Sequence, residues 1–378
     1  MNSLKENSMG HSTPVLDAEP DHIRLFIPGP VEVRPEILAA QTQPMIGHRM
    51  PECIDLIASI HPKLQQVFMT QSRVLINAAS GTGLLEAAVR NLVDRKVLNC
   101  INGAFSKRQH EITVANGKAC EVIEAEWGQA ILPEMVIDKL ATGEFDAITV
   151  VHNETSTGVT NPIKEIAAAI RSLPNGNDIM IIVDSVSGMS GARLEFDAWD
   201  LDVALTSSQK AFALPPGLAF CAVSDRAMAK AATVPNRGYY FDFLVLEKYL
   251  LRNQTPATPA VSLLYALDQQ LTDMLAEGME NRFARHLAMR DRTIAWAKSR
   301  GFELSAAEAY ASPTVTCLAN TQGTDIPALN KFLRTRGMII SDGYGPLKGK
   351  NFRIAHMGDA QMGDMEELFA AIDDYLGA

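Results

Sequence analysis

"VLINAASGTGLLEAAVRNLV" occupies residues 74–93 and contains both halves of a repeating unit. VLINAA, 74–79, is a short apolar run and predicts a strand. Ser80-Gly81-Thr82-Gly83 interrupts it. A helical pattern follows, with Leu85, Ala88, Val89 and Leu92 at i, i+3, i+4 and i+7 on one face. A strand that passes through small polar residues into a helix opens a βαβ unit.

The same alternation continues to about residue 225. The runs 96–102, 147–153, 179–185, 202–208 and 217–224 read as further strands, with helical patterns such as IKEIAAAIRSL (163–173) between them. Near-continuous apolar strands suit a sheet covered on both faces, and the intervening helices suit right-handed crossovers. The predicted fold class is therefore α/β: a doubly wound, mostly parallel sheet in a larger domain. Helices are predicted at 260–275 and 281–301, the second ended by Gly301. Beyond about 302 the pattern changes to strands in SPTVTCLAN (312–320) and FRIAH (352–356) around a helix at 325–337. A terminal helix at 363–377 carries an expected capping pair, Asp364 and Glu367. The expected organisation is an N-terminal arm over 1–22, a large domain over 23–279 and a small α+β domain over 280–378. The small domain is expected to draw the arm into its neighbourhood.

With 378 residues the chain exceeds what one simple core holds. It is 47% hydrophobic and 21% charged, as folded globular proteins are. A net charge of −10 without a basic block argues against nucleic acid or an anionic membrane surface as partner. No apolar run reaches the roughly 18 residues that span a bilayer, and the polar N-terminus lacks a signal peptide's apolar core. The 5 cysteines are scattered, with no zinc or disulfide spacing, so no metal is expected. They read as small core hydrophobes of a cytoplasmic protein.

Ligands of open parallel sheets bind beyond the carboxyl ends of the strands. Polar residues fall there after four strands: Ser80–Gly83, Glu154–Gly158, Asp184-Ser185 and Ser207–Lys210. Each has an ordinary reading. Ser-Gly-Thr-Gly is a possible helix N-cap, Asp184 another, and Lys210 a surface lysine. In combination they are a phosphate cradle at a helix N-terminus, a carboxylate and a lysine in one rim. That set matches pyridoxal 5'-phosphate, whose aldehyde takes a lysine, whose ring nitrogen takes an Asp and whose phosphate takes a helix N-terminus.

The chain resembles the class V, fold-type-I pyridoxal-phosphate aminotransferases, in the branch of alanine–glyoxylate and serine–glyoxylate (serine–pyruvate) aminotransferases. The residues that carry the resemblance run in family order: PGPVEVRPEIL (28–38), IGHR (46–49), SGTG (80–83), VVHNETSTGVTNPI (150–163), VDSVSG (183–188), DVALTSSQKA (202–211), TPATPAVSLLYAL (255–267) and FRIAHMGD (352–359). The resemblance implies that Lys210 is the Schiff-base lysine and proton carrier and that Asp184 pairs with the pyridine nitrogen. It places Thr82, Gly83 and Gln209 at the phosphate. Phe105 and Val186 would lie on the two faces of the ring, and Thr155 at its phenolic oxygen. Arg353 would clamp the substrate α-carboxylate. Thr255 and Thr258 lie in the segment that would reach the partner's cofactor phosphate, which implies a homodimer. Gln254 stands where relatives often have an aromatic hydroxyl, and Leu84 where some have histidine.

The implied activity is a ping-pong transamination from a small L-amino acid, alanine or serine, to glyoxylate or pyruvate. Phosphoserine, aspartate or aminoethylphosphonate are alternative donors, and a second arginine in the pocket would favour them. A lyase or a cysteine desulfurase is a different pyridoxal-phosphate reaction. A desulfurase needs a mobile loop cysteine, whereas Cys221 and Cys317 lie in strand-like runs. A non-enzymatic binding module with an incidental Lys210 is the remaining reading.

Overall fold

Five-residue runs with every side chain buried form the middle of the larger sheet. The computed structural model describes residues 22–377. The arm expected over 1–22 lies outside them, except for His22. In chain order the strands are β1 (Arg24–Phe26), β2 (Arg73–Asn77), β3 (Val97–Ile101), β4 (Cys120–Glu124), β5 (Ala147–Val151), β6 (Asn153–Glu154) and β7 (Val159–Thr160). They continue with β8 (Met180–Asp184), β9 (Val203–Ser207), β10 (Ala219–Val223), β11 (Glu303–Leu304), β12 (Val315–Ala319), β13 (Met338–Asp342) and β14 (Asn351–Ala355). Seven of them form one sheet in the order β2-β10-β9-β8-β5-β3-β4. β10 runs antiparallel to both neighbours, and the remaining pairs are parallel.

Strand alternation sends successive side chains to opposite faces. Ile148, Ile181, Val183 and Phe220 pack on one side, beneath the helices Pro51–Phe68, Ile163–Arg171 and Val261–Glu277. Ala147, Ile182, Leu205 and Cys221 pack on the other, under Gly81–Leu92 and Asp225–Thr233. Both faces are thus covered, as the continuous apolar runs predict.

The second sheet has the order β1-β13-β14-β12-β11. Helices Ile326–Thr335, Met362–Leu376 and the C-terminal half of Met279–Ser299 cover it, with Trp296 stacked on Phe369 at 4.8 Å. Two expectations change here. β1 pairs in parallel with β13, so residues 24–26 belong to the second sheet and not to a large domain running unbroken from 23. The cap of the last helix also differs. Gln361 is the N-cap residue, and Asp364 accepts its N–H at 2.9 Å. Glu367 is not part of that cap: it meets Arg24, as Asp364 also does. A capping acceptor must stand three residues after the cap, and the helix starts at Met362, one residue before the expected 363.

Arg282, buried in helix Met279–Ser299, ties the two sheets together. It is paired with Glu277 at 2.9 Å and Asp359 at 3.1 Å, and donates to the carbonyl of Ala211 at 2.8 Å.

Candidate active site

Three of the expected polar strand ends meet the N-terminus of helix Gly81–Leu92 in one pocket at the carboxyl edge of the larger sheet. Thr82, Phe105, Thr155, Asp184, Val186, Gln209 and Lys210, all expected site residues, line it. β8 is buried throughout and ends in Asp184, so its carboxyl group is delivered where the apolar strand stops. β9 ends in Ser207, and the chain turns through Gln209 and Lys210 before returning as β10. Hydrogen bonds tie this turn down. Ser208 N–H donates to Leu218 O at 2.9 Å, Ala213 N–H to Lys210 O at 2.8 Å, and Ser208 Oγ–H to Pro215 O at 2.7 Å.

The N-terminal segment roofs the lysine. Lys210 Nζ donates to the carbonyl of Pro28, and Val31 N–H to the carbonyl of Gln209 at 3.1 Å. At Gly29, φ is +137°, and a Cβ there would stand 2.5 Å from Lys210 Nζ. Only glycine combines that backbone with that approach.

Burial sets the electrostatics. It pushes the Asp184 carboxyl up to about 6; the N–H of Val186, donating at 2.9 Å, opposes this, and the Glu154 carboxylate adds to it. Burial also lowers Lys210 to about 8, helped by the nearby Arg353 guanidinium and opposed by Asp184. An amine so placed loses its proton close to neutral pH, and an acid so placed needs a cation to hold its charge.

A phosphate-bearing ring fits this pocket on two observations. Ser207 Oγ, buried and on the pocket wall, has no partner among the described residues and can donate its hydroxyl to a phosphate. At Gly81, the first residue of its helix, a Cβ would come 2.5 Å from Val186 Cγ2 and 3.3 Å from Ser207 Oγ. The missing side chain leaves the helix N-terminus, with its free N–H groups, open toward a hydroxyl that lacks a partner.

Arg353 enters from the second sheet. It lies in β14, buried, with Nη1 3.4 Å from the carbonyl of Thr155 and its guanidinium carbon 5.5 Å from the centre of the Tyr344 ring. Burial lowers its pKa. Gly83 does not line the pocket: a Cβ there would meet Phe241 at 2.8 Å. Thr255 and Thr258 do not line it either. They border a neighbouring groove with Asn77, Tyr239 and Tyr240.

Three residues of the site carry no expected role in the sequence reading. Glu154 is fully buried and accepts from the N–H of Phe105 (3.1 Å), Ser106 (2.9 Å) and Ser156 (3.2 Å), and from the hydroxyls of Ser106 and Ser156. It thereby fixes the start of helix Ala104–Ala115, and with it Phe105. Arg108, one turn on, lines the pocket, lies 5.0 Å from the Phe105 ring and donates to the Tyr344 hydroxyl at 3.0 Å. Tyr344 in turn packs on Phe105 at 5.2 Å. The i, i+3 spacing of Phe105 and Arg108 was a usable signal for this wall; Tyr344 offered none.

The aminotransferase class-V family model matches residues 39–347. The chain is 38% identical to an uncharacterized aminotransferase of Methanocaldococcus jannaschii, over 88% of this chain and 87% of that protein. It is 33% identical to the L-aspartate–glyoxylate aminotransferase of Paracoccus denitrificans, over 88% and 86%. The structure of an alanine–glyoxylate aminotransferase from Nostoc sp. superposes with a TM-score of 0.88 at 27% identity, over 99% of this chain and 100% of that one. No helix among the described residues is long and apolar enough to cross a membrane.

Proposed function

Because the chain belongs to the class-V aminotransferase family, we propose that it binds pyridoxal 5'-phosphate in this pocket and moves an amino group from a small L-amino acid to glyoxylate. The observation that carries this reading is the meeting, in one pocket, of Lys210, Asp184 and the N-terminus of helix Gly81–Leu92 beside the unpartnered Ser207 Oγ. The glyoxylate acceptor is supported by the aspartate–glyoxylate relative and the alanine–glyoxylate neighbour.

When bound, the cofactor supplies an electron sink for the bonds at the substrate's Cα. The protein supplies the rest. Asp184 holds a proton on the ring nitrogen and regains its own charge from that cation. Phe105, fixed through Glu154, and Val186 line the pocket and would flank the ring. Thr155 holds the phenolic oxygen. The N-terminus of helix Gly81–Leu92, with Thr82, would take the phosphate together with Gln209 and Ser207. Lys210, with its pKa lowered to about 8, would take up the proton that leaves the substrate's Cα. Arg353 would hold the substrate by its α-carboxylate and so fix its orientation in the pocket.

A desulfurase is disfavoured by the thiols. Cys221 and Cys317 are buried in β10 and β12, and burial raises both pKa values. The proposed compartment is the cytoplasm, where such thiols stay reduced.

The proposed assembly is a homodimer. Exposed Tyr239 lines the groove that Thr255 and Thr258 border, and Arg49 donates to the carbonyls of Thr255 and Pro256. In this reading Thr255 and Thr258 serve the partner's phosphate. Sedimentation at micromolar concentration is expected to give a dimer, and a fully active monomer would contradict the assignment.

Purified protein given pyridoxal 5'-phosphate, an amino acid and glyoxylate is expected to form glycine and the donor's 2-oxo acid. Failure to form glycine from any proteinogenic donor would refute the reading. Replacing Arg353 by Lys keeps the charge but loses the forked contact, worth about 1.5–3 kcal/mol for bonds to a charged group. The donor KM is expected to rise roughly ten- to a hundredfold with cofactor affinity unchanged. Loss of the cofactor at unaltered KM would place Arg353 elsewhere in the machinery.

A further inference from the structure

Gln109 lies one turn beyond Phe105 on helix Ala104–Ala115. It is 2% exposed, and both ends of its side-chain amide, Nε2 and Oε1, lack a partner among the described residues. No other side-chain amide among them is orphaned at both ends. A buried amide without partners is costly, and its neighbours show what it is kept for.

Gln109 lines a narrow cavity with Thr149, Asp184, Leu85, Val151 and Ile182. The cavity has no room for a water molecule, so its polar groups can be satisfied only by one another. Two of them have capacity to spare. Thr149 Oγ1 accepts from Asn99 Nδ2 at 2.7 Å, and its own hydrogen has no acceptor among the described residues. Asp184 Oδ1 accepts from the N–H of Val186 at 2.9 Å, whereas Oδ2 takes no hydrogen bond from them. What is unused is one hydroxyl hydrogen, one carboxylate oxygen and one whole amide. An amide, with an acceptor at one end and donors at the other, is the group that can join the other two. Asp184 also lines the pocket proposed for the cofactor, so Gln109 meets it from a different cavity than the one the ring would fill.

We infer that Gln109 is a positioning residue for Asp184, accepting the Thr149 hydroxyl on Oε1 and donating an Nε2 hydrogen to Asp184 Oδ2. The amide turns within its cavity to make both bonds. The Asp184 carboxylate then has an N–H donor on each oxygen. Its charged form is favoured, and the proton stays on the ring nitrogen. The charges around Asp184 do not do this in its place. Glu154 works against the carboxylate's charge, and Lys210 and Arg108 favour it only from beyond ion-pair distance.

The inference rests on the transaminase reading, and its test separates the two. Gln109→Met keeps the length of the side chain and removes both polar atoms. In the holoenzyme it is expected to lower kcat about tenfold, with the donor KM unchanged within about twofold. In an Asp184→Asn background the same substitution is expected to change kcat by less than about twofold, because its partner is gone. Cofactor affinity, titrated without substrate, gives a readout independent of turnover. Gln109→Met is expected to weaken it at least about threefold beside Asp184 and to leave it unchanged beside Asn. Equal effects in the two backgrounds mark a packing residue and overturn the inference, as does the absence of any effect beside Asp184; in both cases the transaminase stands. If Gln109→Met does not fold, Thr149→Val, which removes only the hydrogen that orients the amide, is read in the same cycle, and equal effects there overturn the inference as well. No cofactor binding by the unmutated protein refutes the transaminase reading and takes the inference with it.

Discussion

Replacing Lys210 by Ala is expected to reduce turnover by about four orders of magnitude, the upper range for loss of a positioned general base. The structure gives the reason for so large a loss. The amine is buried, lowered to about 8 and held under the carbonyl of Pro28. No other lysine lines the pocket. The turn that carries it is tied to β10 by its own hydrogen bonds, so the truncation leaves the fold in place. Non-covalent cofactor binding should survive, since Thr82, Ser207 and Gln209 are untouched. The measurement is glycine formation with circular dichroism as control, together with peptide mapping of the unmutated protein after borohydride reduction. A cofactor label on any lysine other than Lys210, or a variant retaining a tenth of the activity, would sink the assignment.

Asp184→Asn is expected to lower kcat by about a hundred- to a thousandfold, the range seen when one preorganised electrostatic contact is lost. A second expectation concerns the cofactor-free protein and follows from the sign of the shift. Asp184 is raised from 3.8 to about 6. Its contribution to stability is therefore complete below about pH 4 and is lost as pH rises through 6, where the fold must bury a charge without a partner. The Asn variant carries no such charge. Without cofactor it should be more stable than the parent above pH 6, and the difference should vanish toward pH 4. With cofactor bound the order should reverse, because the parent's carboxylate then faces a cation. Denaturant midpoints across that pH range check both signs. Near-normal turnover, or a stability difference independent of pH, would remove Asp184 from the role.

What was legible in the sequence is what depends on short range. Apolar runs of five residues gave the buried strands, and small polar residues just beyond them gave the site edge, because strand ends and helix starts are local events. Asp184, Lys210 and Thr82 could be found that way. A run such as that of β10 carries no sign of direction, so its antiparallel course was invisible. β1 was missed as a strand of the second sheet because its pairing partner, β13, lies more than three hundred residues away. Arg108 read as an ordinary helix arginine, since what sets it apart is Tyr344, a residue 236 positions further on. Glu154 was visible as part of a polar loop, but not as the anchor of Phe105, whose N–H it accepts across 49 positions.

The single reversed strand also bears on the order in which the site can be assembled. β9 and β10 are joined by a short connection, so the hairpin that carries Lys210 closes at little entropic cost. β2 is the first strand of the sheet in sequence, yet its only neighbour in the sheet is β10, nearly 150 residues later. The helix that follows β2 supplies the end of the pocket proposed to take the phosphate. A growing or partly unfolded chain can therefore present the lysine turn long before it has anywhere to seat an anion. The complete pocket exists only once the longest loop of the larger sheet has closed, so cofactor capture belongs to the end of folding and stabilises the finished sheet rather than templating its formation.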